Sequence, residues 1–330
     1  MATLLYPFKT MSLKFSLKGL REVLKNAFKG FIDDKVPKLS GSLAYATIFS
    51  LAPLLMIIIS LGSIFLGREA VEGKIYTELN GFIGASTAAQ IQEIIKNGSL
   101  AGKTKLAAII GLITLLIGAT SVFAEIQDSI NSIWGLKPKP RRGWVRLIKN
   151  RFLSFSVIIS LGFLLLVSLG VTYLIDGFSD RLIQHFPEVT IIIFYIVNLV
   201  ISFAVISLLF AVIFKVLPDA EIKWKDVLAG AMATAVLFML GKFVISFYIT
   251  KSNVGSTYGT AGSIIILLLW VYYSAIILYF GAEFTKAWAI KFGSAIYPNH
   301  YAVTVKVVEV EMADKPIDTN AKEVVNEKHK

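Results

Sequence analysis

The chain has 330 residues, of which 55% are hydrophobic and only 17% are charged, and its formal net charge is +11. This composition excludes an ordinary soluble globular protein. The absence of cysteine excludes disulfides, thiolate catalysis and cysteine-ligated metals. In a membrane protein, excess lysine and arginine fixes the topology and meets anionic headgroups, so the positive charge does not indicate a nucleic-acid partner.

An amphipathic helix is predicted in the N-terminal segment, residues 1–38. Apolar and basic residues alternate at helical spacing between positions 13 and 37, as Val23 and Phe28 do with Lys18 and Lys25. We expect this helix to lie on the cytoplasmic leaflet, where its basic residues face anionic headgroups. The alternative is a helix that docks on the transmembrane bundle.

Six stretches of the chain carry no charge, or a single charge, over a length that can cross a bilayer. A spanning helix needs about 20 mainly apolar residues. The stretches are residues 39–67, 106–124, 152–175, 189–214, 227–250 (interrupted only by Lys242) and 252–282. The predicted fold class is therefore an all-α integral membrane protein, with six transmembrane helices in a domain over residues 39–292.

Basic residues divide unequally between the two sides of this predicted bundle. The side that includes both termini carries 25 lysines and arginines, and the other side carries seven. By the positive-inside rule, both termini are cytoplasmic. Trp134, near the end of the second span, is expected in an interfacial aromatic belt.

Three regions outside the spans have a pattern of their own. Residues 71–79 and 88–95 show helical periodicity, which predicts two short extracytoplasmic helices. Residues 301–311 alternate apolar and polar side chains as a strand does. The rest of the cytoplasmic tail, residues 293–330, is polar towards its end and is expected to be partly disordered.

A candidate transport cavity is suggested by polar residues inside the spans. Lys242 lies about 15 residues into the fifth span, and an ionised lysine at that depth usually faces a polar cavity or a carboxylate. Snorkelling towards the outer headgroups is the alternative. Pro53 removes a backbone donor and predicts a kink beside Ser50. Tyr45 and Asn198 complete the set, although interhelical hydrogen bonds would also explain them.

A candidate cytoplasmic polar cluster is suggested at the ends of the second and sixth spans. Glu125 and Glu283 are predicted at those two ends. Asp128 and Asn131 follow Glu125 in steps of three residues and are expected near the same helix face. The cluster is interpreted either as a gate or proton site, or as ordinary interfacial ion pairs of about 1 kcal/mol or less.

Enzyme chemistry finds little support in the sequence. The three histidines, His185, His300 and His329, do not have the spacing of metal ligands, and no phosphate-binding loop or nucleophile motif is present. We therefore predict no catalytic residues, no metal, no cofactor and no enzymatic activity.

Several stretches resemble the YihY/BrkB family of bacterial inner-membrane proteins, which once carried the label ribonuclease BN. The matching residues are Ala44-Tyr45 with Phe49 to Leu55, Glu125 with Asn131 and Trp134, Leu217-Pro218-Asp219 with Trp224 and Gly230, and Tyr258-Gly259 through Trp270 to Glu283-Phe284. The likeness covers roughly residues 25–290, and Ala46 departs from it where an aromatic residue is common. It implies an all-helical protein of the bacterial plasma membrane, in a family linked to envelope functions and suspected of transport.

The leading hypothesis is that the protein transports or handles a lipid or a small anionic solute through a polar intramembrane cavity. A scaffold that recruits envelope partners is the alternative, and a ribonuclease is the least supported function. The expected partners are membrane lipids, through anionic headgroups at the basic cytoplasmic face. Self-association into a homo-oligomer is left open, and no nucleic acid is expected.

Overall fold

The computed structural model describes residues 16–67, 69, 72–73, 75–77, 80, 88–89, 91–92, 121–139, 187–251, 262–294, 296–300 and 302–305. Its long helices are α1 (Leu17–Asp33), α2 (Val36–Leu66), α3 (residues 121–133), α4 (Pro187–Val216), α5 (Trp224–Lys251) and α6 (Gly262–Lys291). Its strands are β1 (Leu136–Pro138), β2 (Ala220–Glu221), β3 (Tyr297–Pro298) and β4 (Ala302–Thr304). Helix α6 is central, because it packs against α1, α2 and α5, while α5 also packs against α4.

Three helical segments in the described part of the chain are long and apolar enough to cross a membrane. They are Leu199–Val216 in α4, Trp224–Ile249 in α5 and Ile264–Lys291 in α6. They coincide with the fourth, fifth and sixth predicted spans, and the 31-residue α2 covers the first. The predicted spans at 106–124 and 152–175 lie outside the described residues, apart from 121–124, so the number six stays a prediction.

Helix α6 extends beyond the predicted boundary of the last span. The sequence pattern placed that boundary at Ala282, before the first charged residue, whereas the helix ends at Lys291. Glu283 is therefore inside the helix and only 1% exposed, rather than at an exposed helix end. Charge marks where a helix can leave hydrocarbon, but it does not stop the helix, because glutamate, lysine and alanine all favour helical backbone.

Helix α1 runs antiparallel to the last three turns of α6. The facing pairs are Gly19 with Phe292, Glu22 with Lys291, and Gly30 with Glu283. Residue numbers rise along α1 as they fall along α6, so the two axes point in opposite directions. The 11 residue steps from Gly19 to Gly30 correspond to about 17 Å of side-by-side helix.

This packing gives α1 a buried face, which is the docking alternative to the predicted surface helix. Val23 and Ala27 are fully buried, in a cluster with Phe284 and Ala287 of α6. The helix begins where Ser16 caps it, since the Ser16 hydroxyl accepts a hydrogen bond of 3.0 Å from the Gly19 amide. Burial of this face stabilises the helix beyond what its cap provides.

Helices α5 and α6 approach closely through two reciprocal glycine–threonine contacts. A Cβ atom at Gly230 would lie 2.8 Å from Thr285 Cβ, and one at Gly281 would lie 2.9 Å from Thr234 Cβ. Each threonine hydroxyl donates at 2.7 Å to the carbonyl four residues earlier in its own helix, so neither is left unsatisfied. Small residues at these positions therefore allow the backbones of α5 and α6 to approach closely.

Two short antiparallel strand pairs join the connections at one end of the bundle. β1 pairs with β4, Leu136 opposite Thr304, and β2 pairs with β3, Glu221 opposite Tyr297. β4 confirms the predicted strand over residues 302–304, and residues 306–311 lie outside the described part. Gly135, with φ of 66°, turns the chain from α3 into β1, a conformation that favours glycine.

Gly230→Ala should destabilise the protein by about 1–3 kcal/mol, because a β-branched neighbour cannot move away from the added methyl group without straining the core. Gly41→Ala is the matched control, since a Cβ there meets nothing within 4 Å and alanine favours a helix over glycine. Thermal unfolding of the two purified variants in detergent measures the difference. Equal midpoints for both would mean that the α5–α6 contact tolerates a wider separation.

Candidate functional site

A partly buried charged cluster lies where the turn between α1 and α2 meets α3 and α6. Lys286 Nζ is 3.1 Å from Asp34 Oδ2 and 3.4 Å from Glu283 Oε2. The same ammonium donates a hydrogen bond of 2.5 Å to the carbonyl of Ile133 at the end of α3. The Lys286 ammonium therefore contacts two carboxylates and the C-terminal end of α3, where the helix dipole also favours a positive charge.

Glu283 is the most deeply buried member of this cluster. Its Oε2 atom meets Lys286, but its Oε1 atom has no hydrogen-bond partner among the residues that the structure describes. Its carboxyl group lies against the backbone of Gly30, where a Cβ atom would be only 2.6 Å from Glu283 Cδ. A side chain at position 30 would displace the carboxylate, so glycine is what lets α1 cover it.

A second polar cluster joins α3 to the turn between α4 and β2. Gln127 and Asn131 donate amide hydrogen bonds of 3.1 Å and 3.0 Å to the two carboxylate oxygens of Asp219. The Asp219 amide returns a bond of 2.8 Å to Asn131 Oδ1. All three side chains are at most 3% exposed. Such a reciprocal network fixes the turn to the helix, because a lost partner would leave a buried polar group unmatched.

The predicted cytoplasmic cluster is divided by this arrangement. Asn131 joins Asp219, and Glu283 joins Lys286, whereas Asp128 is exposed and Glu125 is half-buried. The expectation that Glu125, Asp128 and Asn131 share one face is wrong for a geometric reason. Each step of three residues falls about 60° short of a full turn, so two steps turn the third side chain well away from the first.

The predicted cavity residues have different environments. Ser50 is 1% exposed and shares a hydrogen bond of 2.6 Å with Ser121, which ties α2 to α3. Tyr45 is 67% exposed and its ring lies 4.9 Å from that of Phe49. Lys242 is half-buried in α5. The side chains of Pro53 and Asn198 lie outside the described residues, although α2 and α4 continue through these positions.

Sequence reasoning missed four residues of the two clusters, namely Asp34, Lys286, Gln127 and Asp219. Gln127 and Asn131 are four residues apart, which is the spacing that places two side chains on one helix face. Asp219 stands in a stretch already noted for its family resemblance. Nothing local marks Asp34 or Lys286, because their roles come from the antiparallel contact between α1 and α6.

Trp134 is another residue whose environment differs from the sequence interpretation. It is 6% exposed, and its indole nitrogen donates a hydrogen bond of 3.1 Å to the carbonyl of Ala282. The side chain therefore fastens the end of α3 to α6 rather than standing in an interfacial belt. A tryptophan followed by a turn fits either environment, so the sequence could not separate them.

Lys291 forms an ion pair with Glu22 at the far end of the α1–α6 contact. The hydrogen bond from Lys291, together with its positive charge, lowers the pKa of Glu22 below its ordinary value of 4.5. The folded protein then holds this proton less tightly than the unfolded chain. The contribution of the pair to stability is complete above about pH 4.5 and is lost as the pH falls through the lowered pKa.

Comparison with known proteins places these features in a family context. The family model for virulence factor BrkB matches residues 27–298. Similar curated proteins are the UPF0761 membrane proteins of Ralstonia nicotianae (24% identity over 83% of this chain), Pseudoalteromonas atlantica (28% over 76%) and Saccharophagus degradans (27% over 91%). The matches cover 60%, 81% and 66% of those proteins, so the chain spans less than two thirds of two of them. No solved structure matches the chain significantly.

Lys286→Met should lower the free energy of unfolding by about 2–3 kcal/mol, because it leaves Glu283 buried without its cation. The value lies below the about 3–5 kcal/mol typical of fully buried pairs, since the Lys286 side chain is 30% exposed. Adding Glu283→Gln should recover most of the loss, because the double variant buries no unpaired charge. Lys225→Met, at an exposed position of α5, is the control.

Thermal unfolding of the wild type, Lys286→Met, Glu283→Gln and the double variant gives the double-mutant cycle, and the Lys225→Met control is measured beside them. A Lys286→Met midpoint equal to that of the control, or a double variant less stable than the single one, would contradict the assignment of Lys286 as the counter-ion of Glu283.

Proposed function

Since this chain belongs to the virulence factor BrkB family and is a membrane protein, we propose that it transports or handles a lipid or a small anionic solute along a polar path through the bilayer. The observation that carries the proposal is Lys242, an ionisable side chain inside a helix that is otherwise uncharged from residue 227 to residue 250. Ionisable residues at such positions are rare, and they commonly mark substrate or ion pathways.

The face of α5 that carries Lys242 supports a role inside the bundle. Phe238 and Ile245 lie one turn before and one turn after Lys242 on that face. The Phe238 ring meets Phe210 of α4 and Trp270 of α6, with centroids 5.8 Å and 6.1 Å apart, and Ile245 is 7% exposed. The neighbouring positions Leu240, Phe243, Val244 and Phe247 are exposed and apolar, as a lipid-facing surface would be. Lys242 is thus turned towards the bundle, which favours a polar path over snorkelling.

Buried hydroxyl groups on two helices also fit a polar interior. Within the described ranges, the hydroxyls of Ser40 in α2 and Ser207 in α4 are buried without a hydrogen-bond partner. Buried donors of this kind commonly bind water or a ligand. Their distribution over two helices suggests that the path is lined by more than one span.

The finer topology belongs to the same proposal. We place the protein in the bacterial plasma membrane with six spans and with both termini in the cytoplasm, because the positive-inside rule and an even number of spans agree. The charged cluster around Lys286 then lies at the cytoplasmic end of the path, where two carboxylates compete for one ammonium. The proposed role is not enzymatic and uses no cofactor.

Reconstitution into liposomes tests the proposal. Lys242→Met should reduce the movement of fluorescent phosphatidylglycerol between leaflets, or the uptake of inorganic phosphate, at least tenfold, because the variant cannot neutralise the anionic group in a low dielectric. Lys242→Arg keeps the charge and should retain most of the activity, and Lys225→Met, on an exposed part of the same helix, should match the wild type. Equal rates for Lys242→Met and the wild type would refute the role of Lys242, and no movement of either probe by the wild type would refute the transport role.

A scaffold that recruits envelope partners is the second candidate. It is favoured by one observation, the pairing of β1 with β4, which joins the residues just after α3 to the segment after α6. Lys137 and Lys139 are exposed on this joined surface, and Lys139 donates a hydrogen bond of 2.7 Å to the carbonyl of His300. The surface therefore offers positive charge on a fixed backbone.

The two candidates predict opposite results for one variant. A protein with Lys137→Gln and Lys139→Gln, lacking residues 306–330, should keep full lipid or phosphate movement if the first candidate is right. If the scaffold is right, the variant should lose co-purifying envelope proteins that the wild type and Lys242→Met both retain. Quantitative mass spectrometry of the purified complexes measures this.

A further inference from the structure

Helix α1 has a second apolar edge in addition to the face that packs on α6. Leu24, Phe28 and Ile32 are 46%, 62% and 63% exposed, whereas Val23 and Ala27 are fully buried. The exposed residues recur every four positions and so form a continuous row along the helix. Burial against α6 therefore accounts for only part of the amphipathic character of α1.

A row of basic residues lies directly beside this exposed edge. Arg21, Lys25 and Lys29 also recur every four positions, and each stands three residues before a member of the apolar row. All three are exposed. The acidic Glu22 lies on the opposite flank of the basic row and pairs with Lys291. The edge thus combines exposed hydrocarbon with positive charge, which is the pattern of helices that bind anionic bilayer surfaces.

The contact between α1 and α6 sets the level of this edge relative to the bilayer. Helix α6 carries no charge from Gly262 to Ala282, and these 21 residues correspond to about 31 Å, the thickness of the hydrocarbon core. Glu283, the first charged residue, faces Gly30. The C-terminal end of α1 therefore lies at the border of the hydrocarbon, and earlier turns lie farther out by about 5.4 Å each.

We infer that this edge of α1 binds anionic phospholipid, with Phe28 and Ile32 at the boundary of the acyl chains and with Lys25 and Lys29 against the phosphates. The interfacial layer is about 5–8 Å deep on each side, so Phe28 lies within it and Leu24 lies at its outer limit, while Ile32, which follows Gly30 along α1, lies just inside the hydrocarbon. Leu17, four turns before Ile32, lies in water although it is 81% exposed. The inference is independent of the transported substrate and rests only on the membrane location.

The alternative occupant of an exposed apolar row is a second copy of the chain. Charge argues against it, because two copies related by a two-fold axis would bring the same basic row close to itself. Lipid supplies the negative charge that a second copy of this edge lacks. The experiment separates the two occupants directly.

Single cysteines test the inference without background labelling, because the native chain contains no cysteine. Spin labels at positions 17, 24, 28 and 32 are compared in liposomes that contain phosphatidylglycerol, by power saturation with oxygen and with a water-soluble nickel chelate. The ratio of oxygen to nickel accessibility should be highest at position 32 and should fall through 28 and 24 to 17. A ratio that is equal at all four positions, or spin–spin broadening at position 28 that reveals a second copy, would overturn the inference.

The charge requirement is measured with a matched pair of variants. Lys25→Gln with Lys29→Gln should weaken the retention of added phosphatidylglycerol, followed by native mass spectrometry, by at least fivefold. Lys223→Gln with Lys225→Gln removes two exposed lysines near the start of α5 and should leave it unchanged. An equal loss in both variants would show a non-specific effect of net charge and would overturn the assignment to α1. Unchanged thermal midpoints confirm that both variants remain folded.

Discussion

The packing of the helices at one end of the bundle depends on the groups that contact one buried carboxylate. Glu283 lies where the uncharged part of α6 ends, and an unpaired charge there would cost several kcal/mol. Lys286, on the next turn of the same helix, provides the positive charge, and Gly30 provides the space. Because the same ammonium also binds Asp34 and the carbonyl of Ile133, the need to satisfy Glu283 brings α1, the start of α2 and α3 to one place.

The close approach of α5 and α6 has a different origin, which is the absence of side chains. Hydrocarbon gives no hydrophobic drive for helices to associate, so contact between backbones has to come from packing and polar bonds. The glycines at 230 and 281 each receive a threonine from the facing helix, and each threonine satisfies its own hydroxyl within its helix. The pair is therefore tightly packed without a polar group exposed to lipid.

For the described part of the chain, the sequence predicted the positions of the apolar helices well, since charge and hydropathy report directly on the cost of placing a residue in hydrocarbon. α4 and α5 begin and end within about three residues of the predicted bounds because charged or polar residues flank them. The continuation of α6 from Glu283 to Lys291 was missed because the first charged residue marks the end of the hydrocarbon and not the end of the helix. The candidate site was only half predictable. Glu283 and Asn131 stood out by position, but Asp34 and Lys286 acquire their roles from a contact between helices more than 200 residues apart in the chain.

The strand pairs have a mechanical consequence for the bundle. β1–β4 and β2–β3 fasten the connections of α3, α4, α5 and α6 to one another at a single end. Asp226 in the first turn of α5 also accepts hydrogen bonds from the amide and the hydroxyl of Ser294 just after α6. Helices that are joined at one end can separate more at their other ends. We expect the relative displacements of these helices to grow with distance from the strand pairs, so any widening between them is largest at the opposite membrane face.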